Sequence, residues 1–174
     1  MNPLASRRTI ATLALALSIS APSLSAAAER GPSTPQERER IVALTRGLEA
    51  KPLAGDAKDT RSGLVAWWAA VPDLTVNFCT AFLGPFVDSK HKYESEISIQ
   101  MMFSAGAYLI EHPGSDPAGV EVATAGVEGA LRAYEAIVAG QPGLRDATLD
   151  GLRARRDAGT LKDVVAEALP RCGK

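Results

Sequence analysis

Apolar residues recur at helical spacing along nearly the whole chain beyond residue 28, which is the pattern of an all-α domain. The first predicted helix begins after Thr34, because Thr34 can cap it, Pro35 suits its first turn and Glu37 can complete a capping box. Pro52 and Gly55 mark its end. Three apolar residues share one face of this helix: Ile41, Leu44 and Leu48.

Residues 90–112 are predicted to form one long helix at the centre of the fold, because the stretch from Ile97 to Ile110 is apolar on nearly every face. One stripe of this helix is polar: Glu96, Gln100, Ser104 and Glu111. If the stripe faces inward, Gln100 and Ser104 line a polar pocket with Tyr93 or Glu111 at its ends. If it faces outward, it is an ordinary solvated face.

Asp116-Pro117 is predicted to open the next helix, which runs to about Ala139. One face carries small residues, where a neighbouring helix can approach closely: Gly119, Ala123, Gly126, Ala130 and Ala133. The opposite face is charged and is expected to be solvent-exposed, with Glu128 and Arg132 as an ordinary surface pair.

The remaining segments are shorter. One helix is expected to start near Asp59 or Thr60 and to carry Trp67 and Trp68, and another to follow Asp73, although residues 74–78 also alternate like a strand. Two more helices follow residue 143, the last behind a second capping box at residues 160–163. The pattern predicts a single all-α domain over residues 29–174, a bundle of five to seven helices.

The first 28 residues have the order of a cleaved export signal peptide. An arginine pair at residues 7 and 8 precedes an apolar run from Ile10 to Ile19, and small residues follow at 25–28. The apolar run is about half of the ~20 residues that span a membrane, so we expect cleavage after Ala27 or Ala28 and no transmembrane segment afterwards. The product is expected in the periplasm or outside the cell. The general and the twin-arginine export routes both stay open.

Two cysteines, Cys79 and Cys172, are expected to form one disulfide, because an even number in an exported chain is typical of a disulfide framework. The bond would close a loop of about 94 residues and fix the C-terminus to the core. Two unrelated thiols and an intermolecular bond are the alternatives. The spacing does not fit paired-cysteine metal or redox motifs.

Charge and motifs exclude several functions. Removal of residues 1–28 takes the net charge from -1 to about -3, and such a balance argues against a nucleic-acid partner, which needs a clustered basic face. No metal site is expected, since His91 and His112 are the only histidines and no pair lies at i, i+4. Phosphate-binding loops and nucleophile motifs are absent, so neither a cofactor nor a set of catalytic residues is predicted.

Five residues are the candidate binding residues: Gln100, Ser104, Glu111, His112 and Trp68. The first four follow the polar stripe and its end, and an exposed Trp68 would suit a sugar or a partner protein. The leading hypothesis is an exported interaction or ligand-binding module, whose partner is an unknown envelope protein or small molecule; a homodimer is also possible. An envelope enzyme with a site around Gln100, Glu111 and His112, or an inhibitor of an envelope enzyme, is the alternative.

Overall fold

The computed structural model describes residues 30–172, and within them the fold is all-α. The predicted signal peptide, residues 1–28, lies outside the described residues. The six α-helices are α1 (Pro35–Ala50), α2 (Ala57–Ala70), α3 (Glu94–Glu111), α4 (Val120–Gly140), α5 (Ala147–Asp157) and α6 (Leu161–Ala168). Short 3-10 helices occupy Thr80–Asp88, Pro142–Leu144 and Leu169–Arg171. The predicted all-α fold is thereby confirmed.

The centre of the fold is the helical hairpin of α3 and α4, which share the largest interface. One side of this hairpin packs against α1 and α2 around Leu64 and Phe103, and the other packs against α5, α6 and the segment Thr80–Asp88 around Phe86 and Leu131. All four of these side chains are fully buried. The prediction that the apolar stretch from 97 to 110 lies at the centre is confirmed.

The predicted small-residue face brings α4 against α3. A Cβ added to Gly126 would lie 2.8 Å from the backbone oxygen of Met101, so glycine is needed for this approach. The tightest contact is at Gly129, outside the predicted stripe, where an added Cβ would lie 1.9 Å from Ser104 Oγ. The helices pack closely because neither glycine carries a side chain toward α3.

Two predicted helix starts were wrong, in each case because a side chain bonds to backbone outside the helix. The long helix begins at Glu94 rather than Lys90, since His91 Nε2 bonds the carbonyl of Leu144 at 2.8 Å and its Nδ1 accepts the Tyr93 N–H. The next helix begins at Val120, because the Asp116 carboxylate accepts the Ala118 N–H and holds a turn.

The capping boxes had opposite outcomes. Thr34 and Glu37 form the predicted box at α1, each side chain bonding the other's backbone N–H. At α6 the prediction was wrong, since the Thr160 hydroxyl donates to the Arg155 carbonyl instead. The helix predicted to follow Asp73 does not begin there, and its strand alternative does not form either: residues 74–79 are irregular, and Thr80–Asp88 is a 3-10 helix broken at Gly84, where φ is 55°.

The disulfide prediction is confirmed. Cys79 and Cys172 are bonded, with their Cα atoms 5.7 Å apart, and the bond closes a sequence separation of 93 residues. It joins the start of the segment Thr80–Asp88 to the end of the described chain. The bond joins two of the four separate parts of the sequence that surround one pocket.

Candidate functional site

Gln100 and Ser104 do face inward, but they enter a filled polar network rather than an open pocket. Ser104 is fully buried, and its hydroxyl donates to Glu49 Oε1 at 2.7 Å. Gln100 is 1% exposed, and its Nε2 donates to Ser104 Oγ at 3.1 Å and to the Thr45 carbonyl at 3.3 Å. Gly129 closes the remaining space beside Ser104.

The centre of this network is Glu49, a residue that the sequence analysis did not select. Its side chain is 5% exposed and accepts a two-point contact from Arg132, with distances of 2.8 and 3.0 Å. Arg46 Nη1 adds a third bond at 2.7 Å. Burial acts to raise the pKa of Glu49, but the hydrogen bonds from Arg132 and Ser104, with the charges of Arg132 and Arg46, leave it below its ordinary value. The Glu49 carboxylate therefore has a structural role: it is ionised, and its charge is paired with Arg132 and Arg46.

Arg132 therefore does not belong to a purely solvated face, as the sequence pattern indicated. Its contact with Glu128 is long, at 3.9 Å, whereas both of its shorter bonds go to Glu49 on α1. Arg132 bonds Glu49 in preference to Glu128 because a bidentate arginine–carboxylate pair in a half-buried site is stronger than an exposed i, i+4 pair. No spacing within α4 could have revealed a partner on α1.

Glu111 and His112 lie at the exposed end of α3, in a charged cleft of about 530 Å³. Glu111 bonds Arg46 at 2.7 Å, and the His112 ring stacks on Tyr108 with centroids 4.0 Å apart. Across the cleft Lys162 bonds Glu121 at 2.6 Å. Hydrogen bonds from Lys162 lower the pKa of Glu121.

The predicted site residues thus separate into two groups. Gln100 and Glu111 are eleven residues apart on one helix, about 16 Å along its axis. The two groups are connected through Glu49, which bonds Ser104 and also lines the cleft, and through Arg46, which bonds both Glu49 and Glu111. Every arginine and lysine that lines the cleft is already ion-paired.

Trp68 lies in the core rather than on a binding surface. It is 9% exposed and packs over Gly106, where an added Cβ would lie 2.2 Å from the indole. The Trp67 ring packs edge-on against the Trp68 ring, with centroids 5.0 Å apart. The Arg30 guanidinium lies over the Trp67 ring, 5.3 Å from its centroid. The pair anchors α2 and the start of the described chain.

A second pocket, of about 460 Å³, adjoins the disulfide. Its walls come from the segment before the first 3-10 helix, that helix itself, α3, the loop before α4, the first turn of α4 and the end of the chain. The lining residues are Asn77, Phe78, Cys79, Phe82, Ala105, Pro117, Ala118, Val122, Ala123, Leu169 and Cys172.

Among the described residues, the lining of this disulfide pocket contains no ionisable side chain, since Cys79 and Cys172 are bonded to each other. Phe78 is 46% exposed, the largest exposure of any bulky apolar residue in the described chain, ahead of Val65 at 45% and Leu53 at 39%. Asn77 contributes the polar side chain of the lining. Such a lining accommodates a neutral, mainly apolar group with one polar contact.

Sequence reasoning did not find this pocket. Phe78 lies in the segment after Asp73 that was predicted to be a helix or a strand, and the other walls are small or apolar residues without a motif. The cysteine pair was the one available signal, because a bond between residues 79 and 172 must bring both segments together.

No known protein-family model, curated protein or solved structure matches the chain. Among residues 30–172, no helix has the length and apolar character needed to cross a membrane. The same residues contain no group of three or more histidine, cysteine, aspartate or glutamate side chains arranged to hold a metal ion.

Proposed function

We propose that this protein is an exported binding module that holds a small, neutral, mainly apolar ligand in the disulfide pocket. The observation that carries the proposal is the uncharged lining of a pocket of about 460 Å³ with the half-exposed Phe78 in its wall. Small-molecule sites are typically concave, mostly apolar and ~300–1,000 Å³ in volume. Asn77 supplies an amide that can orient a polar end of the ligand.

Export to the periplasm or the outside of the cell is part of the proposal. It is supported by the charged, apolar and small-residue order of residues 1–28. The disulfide is compatible with it, because such bonds persist in oxidising compartments and are rare in the cytosol.

The charged cleft is a weaker candidate than the disulfide pocket for a catalytic or binding site. An enzyme would need a carboxylate or imidazole that is free to react, yet Glu111 is paired with Arg46, the His112 ring stacks on Tyr108, and Gln100 is buried apart from both. The cleft's cations are neutralised by Glu49, Glu111 and Glu121, so little charge is left to attract a ligand. We therefore place the binding function in the disulfide pocket.

The test is a titration with N-phenyl-1-naphthylamine, a neutral apolar fluorophore, on the wild type and two matched variants. Phe78→Ser removes an exposed apolar side chain from the pocket wall, and Val65→Ser removes one of equal exposure from α2, away from it. We expect saturable binding that Phe78→Ser weakens by about tenfold or more and Val65→Ser leaves unchanged. Equal losses in both variants, or no saturable binding, would contradict the proposal.

A further inference from the structure

The disulfide is itself part of the pocket wall. Cys79 and Cys172 are half-buried and both line the pocket, beside Phe78 on one side and Leu169 on the other. The two cysteines come from segments that are 93 residues apart. Closing the bond therefore places one wall of the pocket against the other.

The C-terminal wall is held by this bond and by the partly buried packing of Leu169 and Cys172 against the core. The buried side chains of Leu161, Val165 and Ala168 anchor α6, but Leu169 is only half-buried. Within the part of the chain that the structure describes, no side chain from Asp163 to Arg171 takes part in a hydrogen bond or an ion pair. The last polar attachment before the wall is the Lys162–Glu121 pair, which lies on the charged cleft.

The opposite wall is equally poor in polar attachments at its edge. Among the described residues, no backbone group from residue 74 to 78 is hydrogen-bonded. The anchored part begins further along, where Phe82, Leu83 and Phe86 enter the core. Phe78 and Asn77 thus lie between Cys79 and a stretch that is held only by the apolar contacts of Leu74 and Val76.

We propose that oxidation of Cys79 and Cys172 assembles the binding pocket, and that reduction opens it while the helical core stays folded. This inference rests on the proposed function. In the forward step, an external disulfide acts as the oxidant. It accepts two electrons and two protons from the two thiols and becomes a dithiol, while one S–S bond forms in the protein. A dithiol reductant reverses the exchange and becomes a disulfide itself.

The consequence is that binding is coupled to compartment. In a reducing cytosol the two thiols are free and the pocket wall is not held in place. After export the bond forms and the pocket is assembled. The apparent dissociation constant scales inversely with the fraction of molecules that hold the binding conformation. If about one reduced molecule in ten holds the wall in place, binding weakens about tenfold.

The core should survive reduction, because its large contacts do not involve the bond. The disulfide attaches at the edge of the core. The interface of α3 and α4 and the buried side chains of Leu83 and Phe86 lie deeper in it. α6 is likewise retained by Val165 and Ala168. Only the edge of the pocket depends on the bond.

The experiment compares the purified oxidised protein with the same protein reduced by dithiothreitol and with the Cys79→Ser/Cys172→Ser double variant. Three readouts are taken below the melting temperature of each: helical circular dichroism, affinity for N-phenyl-1-naphthylamine, and hydrogen exchange by mass spectrometry. We expect unchanged helicity, a dissociation constant raised about tenfold or more, and faster exchange confined to the first turn of the 3-10 helix Thr80–Asp88 and to residues 169–172.

The outcomes separate the two proposals. If the oxidised protein does not bind the probe, the proposed function fails, and the exchange data alone decide whether the wall is released. If the oxidised protein binds and the reduced protein binds equally well, assembly by the disulfide is refuted. Loss of helicity in both reduced forms would also refute it, since the wall would not be separable from the core.

Discussion

Replacement of Gly129 by alanine tests the packing of α3 on α4 that positions every other feature. A Cβ at this position would lie 1.9 Å from Ser104 Oγ and 2.2 Å from Ser104 Cβ, distances at which atoms must move. The side of α3 cannot yield easily, because Ser104 is fully buried and bonded to Glu49.

Two opposing effects set the magnitude. Alanine in a helix interior is favoured over glycine by ~1 kcal/mol. Against this, overpacking of a core costs ~1–3 kcal/mol. Displacement of Ser104 from the Glu49 carboxylate sacrifices a hydrogen bond to a charged group, worth ~1.5–3 kcal/mol. The balance is a loss of roughly 2–5 kcal/mol in the free energy of unfolding.

The assay is equilibrium unfolding in urea, followed by circular dichroism. Gly151→Ala in α5 is the matched control, since a Cβ there meets nothing within 4 Å and only the helix preference changes. We expect the control to gain up to ~1 kcal/mol and Gly129→Ala to lose stability. If Gly129→Ala is as stable as the control, the close approach of the two helices is refuted.

Two further predictions concern acid. Hydrogen bonds from the backbone and side chain of Ser33 lower the pKa of Asp73 from 3.8 to about 2, so its contribution to stability is complete above pH 3.8 and is lost as the pH falls toward 2. Urea unfolding at pH 2–5 should show this slope in the wild type and a shallower one in Asp73→Asn; equal slopes would contradict it. The pKa of Glu49 also lies below its ordinary 4.5, so Glu49→Gln should destabilise the protein at pH 7 by ~1–3 kcal/mol and by less below pH 4. A deficit that stays constant with pH would show that the charge of Glu49 is not what Arg132 and Ser104 stabilise.

The helices could be predicted from the sequence because their signals are local. The capping box of Thr34 and Glu37 and the apolar stretch around Phe103 depend only on neighbours within one helix. The disulfide could be predicted because the sequence contains only one other cysteine that Cys79 can pair with.

Local bonds explain the errors at Asp116 and Thr160, whose side chains bond Ala118 and Arg155, but other errors arose where a side chain has a distant partner. His91 ends the expected helix early because it bonds Leu144, which is 53 residues away. Glu49 was not selected because a glutamate in a helix is usually solvated, and its partners on α3 and α4 are 55 and 83 residues away. The sequence left open whether Gln100 and Ser104 face inward or outward. The answer depends on the close approach of α4 to α3, which Gly129 permits because it has no side chain.

The disulfide pocket lies beyond local signals altogether. Its walls are assembled from Phe78, Ala118, Val122 and Leu169, and each of these has an ordinary packing role when considered with its neighbours alone. Only the tertiary arrangement leaves an uncharged space among them.

The most direct test of the binding proposal is a map of amide chemical-shift changes when N-phenyl-1-naphthylamine is added to the oxidised, isotope-labelled protein. The account predicts saturable shifts clustered at residues 77–79, 118 and 122–123. Shifts clustered around Tyr108, His112 and Lys162 would place the binding site in the charged cleft instead. Shifts scattered over the surface would contradict a single site.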